Sequence, residues 1–336
     1  MHPIQLLANE LIGFFGLNAW IKMIASGDYS VLRTYDGFTG AIGPLLPLLL
    51  VIEVIRALVH KNFKAREYKV IFMTYVANRV FSAFISIAAV AFCIGLFEPH
   101  AILKSRMTWY WLLYGYVVWE LGHFIYHYLA HKVRLLWCLH STHHSAESMN
   151  LFVSQAHFFL EAPYADVIRT TVCILLGVSP PLLFVIMFID GTWGTFIHAG
   201  EHLLRDGRLG VMNRFILTPS HHRVHHSRNP LYIDTNFCNL LNVWDRVFGT
   251  LQDERETIPP EYGVTRPINV GNFFDFYFGE LRVLWQDVRR APGVMNKLAY
   301  LVMPPGWSHT GQHKTASDVR RAYLATGSNE GRGAAA

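Results

Sequence analysis

The chain has 336 residues, of which 52% are hydrophobic and 14% aromatic, whereas only 16% are charged. Such a composition is too apolar for an ordinary soluble domain and indicates a membrane protein. The net charge of +5 is typical of basic loops on one side of a membrane, and no segment indicates nucleic acid binding.

The N-terminal region predicts a membrane-associated segment and then a first hairpin. Residues 4–25 are apolar but contain five polar side chains. This pattern favours an interfacial or weak membrane segment over residues 1–35 rather than a cleaved signal peptide. Residues 37–52 are nearly uncharged and residues 80–97 carry no charge, so we expect both to cross the bilayer.

Further apolar stretches predict a second hairpin. Residues 107–119 are uncharged, and residues 170–189 are uncharged but contain a Ser-Pro-Pro sequence at 179–181 that should break a helix. A single span there would place histidines of one site on opposite sides of the bilayer. We therefore expect two helices, over residues 163–178 and 182–198, which return the chain to the side it left.

Histidines are concentrated in one part of the chain, with thirteen of eighteen lying between His123 and His226. Residues three or four apart share one face of a helix, so each spaced group would direct its imidazoles to one point. Ten such nitrogen ligands exceed the need of one zinc ion, so two metal ions in one pocket are predicted. Imidazole ligands suit iron, zinc, copper or nickel, and the spacing does not choose among them. The groups are two HxxxH pairs, His127/His131 and His198/His202, and two HxxHH boxes, His140/His143/His144 and His222/His225/His226.

The basic residues set the predicted orientation. The loop after the first span and its flanks carry six Lys or Arg residues, whereas the loop at 98–106 carries two, so the former is predicted to be cytosolic. Counting spans onward places the histidines on the cytosolic side. The predicted fold is an all-α integral membrane protein, in which two transmembrane hairpins bear a cytosolic helical cap with the histidine boxes. A multi-pass location in a bacterial inner membrane or the endoplasmic reticulum follows.

The C-terminal part changes character after residue 255. Residues 256–308 combine aromatic and basic side chains, which predicts an interfacial helical region, although packing against the site is an equal alternative. Residues 309–336 are polar and predict a disordered tail. The remaining residues, 36–255, are predicted to form the membrane-embedded domain that holds the metal site.

Two segments around the histidines resemble the fatty acid hydroxylase/sterol desaturase superfamily, and the resemblance covers about residues 115–255. The three boxes of that superfamily match His127/His131, His140/His143/His144 and His222/His225/His226. The segments are WELGHFIYHYLAHKVRLLWCLHSTHHSAESMNL and TPSHHRVHHSRNPLYIDTNFCNLLNVWDRVFGT.

The resemblance implies a function as well as a fold. It implies a non-haem centre of two iron ions that uses O2 and external electrons to hydroxylate a C–H bond of a lipid. The chain contains neither a cytochrome b5 motif nor a dinucleotide-binding GxGxxG helix, so a separate electron donor is expected. Metals at the ends of spans favour oxidation near the headgroup of a glyceryl ether, an ornithine lipid or a sterol.

Departures from the family pattern leave alternatives for individual residues. His123 and His221 are alternative ligands, because each lies beside a box residue at a competing spacing. Acidic residues and a further histidine are expected to hold ligand imidazoles through their other nitrogen, with salt bridges to arginines as an equal alternative for the carboxylates. These supporting residues are Glu120, Glu147, His157, Glu201 and Asp234.

Other functions stay open at this stage. A lipid desaturase of the same superfamily would use the same boxes, and a zinc-bound member could lack oxygen chemistry. A histidine-rich membrane metal transporter or metal-binding protein is the alternative from another class. A transporter should carry polar residues in mid-span, but residues 80–97 and 170–189 contain no ionisable side chain other than cysteine.

Overall fold

A computed structural model describes residues 17–34 and 43–333, together with residues 5, 9–10, 12–13, 37 and 40–41. Part of the predicted N-terminal segment 1–35, mostly before residue 17, therefore lies outside the described residues. The chain divides into two compact units, Met1–Phe63 and Lys64–Ala336. The predicted domain boundaries at 35, 255 and 308 stay predictions.

The first unit contains two described α-helices, α1 (Asn18–Ser26) and α2 (Leu45–Val59). Helix α1 ends at Gly27, whose φ of +66° is the left-handed conformation that glycine adopts without strain. Helix α2 begins inside the predicted span 37–52 and extends seven residues beyond it, past the buried Glu53.

The regular secondary structure described for the second unit is helical, which agrees with the predicted all-α class. Apart from two isolated bridges, no β-structure occurs among the described residues. Short 3-10 turns lie at Glu98–His100, Leu151–Gln155 and Gly210–Arg214. Its α-helices are α3 (Ala65–Phe97), α4 (Trp109–Lys132), α5 (Arg134–His144), α6 (Glu161–Leu175), α7 (Pro180–Phe196), α8 (Pro219–His225), α9 (Val243–Val247), α10 (Phe273–Arg290), α11 (Gly293–Val302) and α12 (Ala316–Gly333).

One segment of the described chain, Phe81–His100, is long and apolar enough to cross a membrane, with a mean hydropathy of 2.0. It exposes large apolar side chains, including Phe84 at 74% and Phe92 at 68%. Helix α7 is apolar but has only 17 residues. Both observations fit a membrane protein. The predicted break at 179–181 is confirmed, because α6 ends at Leu175 and Pro180 starts α7, where proline is best tolerated.

Helices α4, α6 and α7 enclose the main hydrophobic core, which includes Trp119, Ile174 and Leu183. Helices α4 and α6 approach closely at Gly122, where an added Cβ would lie 3.0 Å from the Arg169 Cα. A larger residue at this position would force the two helices apart. This close packing matters for the site, because α4 carries histidines two turns further on.

A buried carboxylate on α4 holds the loop that follows the last histidine box. Glu120 is fully buried, and its oxygens accept hydrogen bonds from the backbone N–H groups of Asn239, Leu240 and Leu241 at 2.9, 2.6 and 2.8 Å. The carboxylate of Asp245, which is also fully buried, accepts hydrogen bonds from the backbone N–H groups of Phe237 and Cys238. The two acids therefore fix the path of residues 237–241 beside α4.

The C-terminal region packs onto the histidine-bearing helices. Arg134 of α5 forms an ion pair with Asp287 of α10 at 2.5 Å, and Leu284 and Tyr300 pack against Cys138. Helix α10 also exposes Phe274 at 72%.

The end of the chain differs from the expected disordered tail over 309–336. It forms α12, which begins with reciprocal hydrogen bonds between Thr315 and Asp318. Arg320 then donates to the carbonyl oxygen of Leu231 and the side chain of Gln252. The polar composition of this segment predicts disorder, because composition alone shows neither the helix cap formed by Thr315 and Asp318 nor the hydrogen bonds of Arg320.

Replacing Glu120 by alanine should strongly destabilise the protein, because three buried backbone N–H groups would lose their acceptor at a cost of about 1–3 kcal/mol each. Glu147 serves as the matched control, since its side chain is exposed. Thermal unfolding in detergent should show a clearly lower midpoint for E120A and little change for E147A. Equal midpoints would contradict the structural role of Glu120.

Candidate metal centre

Five histidines form the first histidine cluster: His127 and His131 of α4, His140 and His144 of α5, and His225 of α8. Their ligand nitrogens all lie within 4.8 Å of one another, and all five side chains are buried. The pairs His127/His131 and His140/His144 are four residues apart, so each pair presents one helix face. The turn between α4 and α5 is a single residue, Val133, which brings the two faces together.

Four histidines form the second histidine cluster: His143, His198, His222 and His226. Their ligand nitrogens also lie within 4.8 Å of one another, and all four side chains are buried. Each HxxHH box divides its members between the clusters, because adjacent histidines on a helix point about 100° apart. The clusters are therefore neighbours, and the rings of His144 and His226 stack with centroids 4.4 Å apart.

The nitrogen spacing within each cluster fits a bound cation. The Nε2 atoms of His127 and His140 are 3.0 Å apart, as are those of His144 and His140. In the second cluster, the Nε2 atom of His198 lies 2.9 Å from that of His222 and 3.2 Å from that of His143. Ligand nitrogens about 2.0–2.1 Å from one metal ion lie roughly 3.0–3.4 Å from each other. The chemistry of the donors thus fits two metal ions.

The opposite ring nitrogens hold the imidazoles in place. The Nδ1 atoms of His127, His225 and His198 donate to the carbonyl oxygens of Phe237, Thr235 and Gly194 at 2.8, 2.8 and 2.6 Å. The Nε2 atoms of His131 and His225 are buried without a hydrogen-bond partner among the described residues. Such a pattern is expected of metal ligands, whose outer N–H is anchored so that the inner lone pair faces the ion.

Burial keeps these imidazoles in the neutral form that binds metals. Removal from water is the largest cause that holds the pKa of His127, His144 and His225 well below its usual range, and neighbouring histidines add to it. For His131, burial lowers the pKa to about 4 although Asp234 opposes the shift. Because a histidine must be deprotonated to bind a metal, no proton has to be removed near neutral pH.

Two carboxylates support the first cluster. Asp234 accepts a hydrogen bond from the Nδ1 of His131 at 3.2 Å, as expected from the sequence, and it also pairs with Lys132. Glu161 was not singled out by the sequence, yet it accepts from the Nδ1 of His140 at 2.5 Å and from that of His157 at 2.9 Å. Burial alone would raise the pKa of Glu161, but His157 and His140 lower it to about 2. The spacing of His157 and Glu161, four residues apart before a helix, is the signal that could have indicated this pair.

His157 lies beside the second cluster without belonging to it. Its ring stacks on that of His143 with centroids 4.4 Å apart and planes 11° apart. Its Nε2 donates to the carbonyl oxygen of Ser154 at 3.0 Å. The residue therefore positions His143 by stacking and Glu161 by hydrogen bonding.

Three of the histidines predicted as ligands or alternative ligands lie outside both clusters. His202 does not join His198 in a cluster, because α7 ends at Phe196 and the HxxxH spacing there does not fall on a helix. His221 bonds to the capping residue Thr218 and to Asp253, whose oxygen lies 2.9 Å from its Nε2. His123 lies one turn before His127, with its Nδ1 3.9 Å from Asp190.

Three glutamates expected to support ligands have other contacts. Glu120 binds the backbone of the loop at 239–241, as described above. Glu147 has an exposed side chain, and Glu201 is exposed and accepts a hydrogen bond from Tyr262. None of the three contacts a cluster histidine through the hydrogen bonds described.

A cavity of about 300 Å³ reaches both clusters. Its wall includes histidines of the first cluster, His127 and His140, and of the second cluster, His143, His198 and His222. The lining also includes the polar side chains of His123, Arg169 and Asp190, which belong to neither cluster. A small molecule in this cavity would therefore lie next to both candidate metal sites.

Comparison with known proteins links this geometry to a family. Residues 112–250 match the family model described as Fatty acid hydroxylase, which confirms the resemblance over that segment. The alkylglycerol monooxygenase of Xenopus tropicalis is 34% identical over 204 residues, or 60% of this chain and 43% of that protein. That of Homo sapiens is 32% identical over 204 residues, with the same shares of 60% and 43%. The ornithine lipid hydroxylase OlsE of Rhizobium tropici is 28% identical over 157 residues, or 47% of this chain and 46% of that protein.

The matched stretch spans less than half the length of these relatives. No solved structure matches the chain.

Replacing Glu161 by alanine should reduce metal binding at the first cluster, because His140 would lose the acceptor that fixes its ring. Loss of such a partner typically costs about 10–100-fold in metal affinity. Asp253→Ala is the control, since Asp253 binds His221 outside both clusters. Metal analysis after dialysis against a chelator should show loss from E161A alone. Equal retention by both variants would contradict this role.

Proposed function

We propose that this chain is a membrane-bound non-haem di-iron oxygenase, because residues 112–250 match the Fatty acid hydroxylase family model. It uses O2 and external electrons to hydroxylate a C–H bond of a lipid near its headgroup. The relatives are named as an alkylglycerol monooxygenase and an ornithine lipid hydroxylase, which favours lipid hydroxylation over metal transport.

The observation that carries the proposal is the adjacency of nine buried imidazoles in two groups. The first histidine cluster would hold one iron ion with five nitrogens and the second would hold the other with four. His202 is left out of this ligand set, and His123 and His221 are not needed for it. Asp234, Glu161 and the carbonyl oxygens of the surrounding loops would fix the ligand rings before metal binds.

Two bound iron ions would supply the reduction of O2, with one oxygen atom inserted into the C–H bond and the other released as water. The balanced reaction takes one lipid, one O2, two electrons and two protons to one hydroxylated lipid and one water. A separate donor protein or reductant supplies the electrons. The protein anchors the histidine rings, and it encloses a cavity in which the reacting carbon lies beside the clusters.

The surroundings of the site support a lipid substrate. Helices α3, α6 and α7 line an apolar groove of about 480 Å³ with Ile87, Val90, Ile94 and Phe184 among its residues. A hydrocarbon chain fits such a groove. Glyceryl ethers, ornithine lipids and sterols are the candidate substrate classes.

The proposed topology follows from the sequence. The chain crosses a bacterial inner membrane or the endoplasmic reticulum several times as two hairpins, with the histidine-bearing helices as a cap on the cytosolic side. The apolar segment Phe81–His100 supports one of these crossings. The short apolar helix α7 supports another.

Replacing His225 by alanine should abolish lipid hydroxylation, because His225 is a proposed ligand whose ring lies 4.4 Å from that of His127. Metal analysis of protein purified without oxygen should give about two irons per chain for the unaltered protein and fewer for H225A. His309→Ala is the control, since His309 contacts Tyr300 away from the clusters. Stoichiometric zinc, or no oxygen-dependent conversion of any of the three lipid classes, would contradict the proposed function.

A cysteine introduced at Ser179 should be labelled from the non-cytosolic side of the membrane, because this turn joins the two proposed crossings. The four native cysteines are buried, so their background labelling should be small. Asn62→Cys, on the proposed cytosolic loop, provides the opposite control, since Asn62 is exposed. Labelling of S179C from the cytosol would overturn the topology.

A further inference from the structure

We infer that His123, Arg169 and Asp190, named here the polar cradle, bind the polar end of the lipid substrate. The inference rests on the proposed function and deepens it, because it states which residues orient the lipid and which headgroup they accept. All three residues line the cavity that reaches both histidine clusters. None of the three belongs to either cluster.

His123 is placed to bind a ligand rather than a metal. It is only 9% exposed, and its ring lies 5.5 Å from that of His127. Its Nδ1 is 3.9 Å from the nearest oxygen of Asp190, too far for a hydrogen bond, and has no other partner within the described residues. A buried ring nitrogen without a partner is costly, so it indicates a group that binds when the cavity is filled.

Arg169 is held so that its orientation is fixed. Its Nη2 donates to Asp166 at 2.7 Å, and its guanidinium lies 4.8 Å from the Trp119 ring and 5.3 Å from the Tyr126 ring. Its Nε is buried without a hydrogen-bond partner among the described residues. The ion pair and the two rings pre-organise the side chain, which leaves a charged donor for an oxygen atom of a ligand.

Asp190 supplies the complementary acceptor. Its Oδ1 accepts a hydrogen bond from Asn239 at 2.7 Å and from the Tyr116 hydroxyl at 3.4 Å, while its Oδ2 faces His123. The cradle thus combines donors and an acceptor around one space. A hydroxyl group can satisfy both kinds of partner, whereas an ether oxygen can only accept.

The charges of the cradle itself select against an anionic headgroup at that place. The guanidinium of Arg169 is already paired with Asp166, and the carboxylates of Asp190 and Glu161 both line the cavity. A phosphate group on the cradle would meet the Asp190 carboxylate beside a cation that is already paired, since the proposed iron ions are held by the clusters, to which no cradle residue belongs. The structure therefore assigns the cradle to an uncharged, hydroxyl-bearing headgroup such as a glycerol ether.

The apolar groove gives the direction of the bound lipid. Asp166 lines the groove between α3, α6 and α7, and its ion-pair partner Arg169 lines the cavity. The Asp166–Arg169 pair consequently lies between the two spaces. With the hydrocarbon chain in the groove and the hydroxyl groups on the cradle, the polar end of the lipid would lie in the cavity that both histidine clusters line.

The test uses three substitutions that remove or change the polar group of one cradle residue each, Arg169→Gln, His123→Phe and Asp190→Asn, with Arg134→Gln as the control. Arg134 is also buried and ion-paired, but it lies outside the cavity. The probes are a C16 glycerol ether, its analogue without the terminal hydroxyl, and its phosphorylated form. Binding to iron-loaded, unreduced protein in detergent is measured first, followed by KM and kcat under turnover.

The unaltered protein should bind the glycerol ether about tenfold or more tightly than the other two probes. A buried polar group that is left without a hydrogen-bond partner reduces the binding free energy. Each cradle variant should bind the glycerol ether about tenfold more weakly, lose this preference and show a raised KM, with iron content close to that of the unaltered protein. R134Q should keep both affinity and preference.

Three results would overturn the inference: unchanged affinity and preference in the cradle variants, loss of iron from them, or tighter binding of the phosphorylated probe by the unaltered protein. Because the binding measurement needs no turnover, it separates this inference from the proposed function. Probe binding with the expected preference but no hydroxylation would support the cradle and contradict the oxygenase proposal.

Discussion

The burial of nine imidazoles against one another is the constraint that the rest of the structure must satisfy. Neutral ring nitrogens with inward lone pairs, such as the Nε2 atoms of His198 and His222 at 2.9 Å, do not attract each other unless a cation or a shared proton lies between them. Burying polar atoms without partners costs stability. The surrounding helices must therefore hold a costly arrangement until metal binds, and the rest of the structure can be understood as that support.

The support comes from buried carboxylates and loop carbonyls rather than from more histidines. Glu120 and Asp245 fix the loop at 237–241, and this loop supplies the Phe237 carbonyl oxygen that accepts from His127. Glu161 holds the ring of His140 directly, because its carboxylate accepts a hydrogen bond from the Nδ1 of His140. Removing water from these groups strengthens each electrostatic contact, so a few acids can hold the site. The same burial that keeps the histidine pKa values low thus makes the carboxylates effective.

The sequence predicted the parts of the site that depend on helical spacing. The HxxHH boxes and the pair His127/His131 lie within or directly after helices α4, α5 and α8, and the structure brings all eight histidines into the clusters. His202 shows the limit of such reasoning. Its spacing of four residues from His198 predicts a shared helix face only on a helix, and α7 has already ended at Phe196. The sequence did not indicate Glu161, because its partner His140 lies 21 residues earlier in the chain. It did not indicate the cap of α12 either, because that cap consists of two hydrogen bonds within one turn, between Thr315 and Asp318.

Helix α4 connects the chemistry to the proposed membrane position. From Trp109 at its start to His127 is 18 residues, which corresponds to about 27 Å at 1.5 Å per residue. This length is close to the roughly 30 Å hydrocarbon thickness of a bilayer. In the proposed topology, α4 enters the bilayer at Trp109, and its length would bring its first cluster histidine, His127, to the opposite boundary. A lipid would meet the metals where its chain joins its headgroup, without leaving the membrane, and the depth of oxidation would be set by the length of one helix.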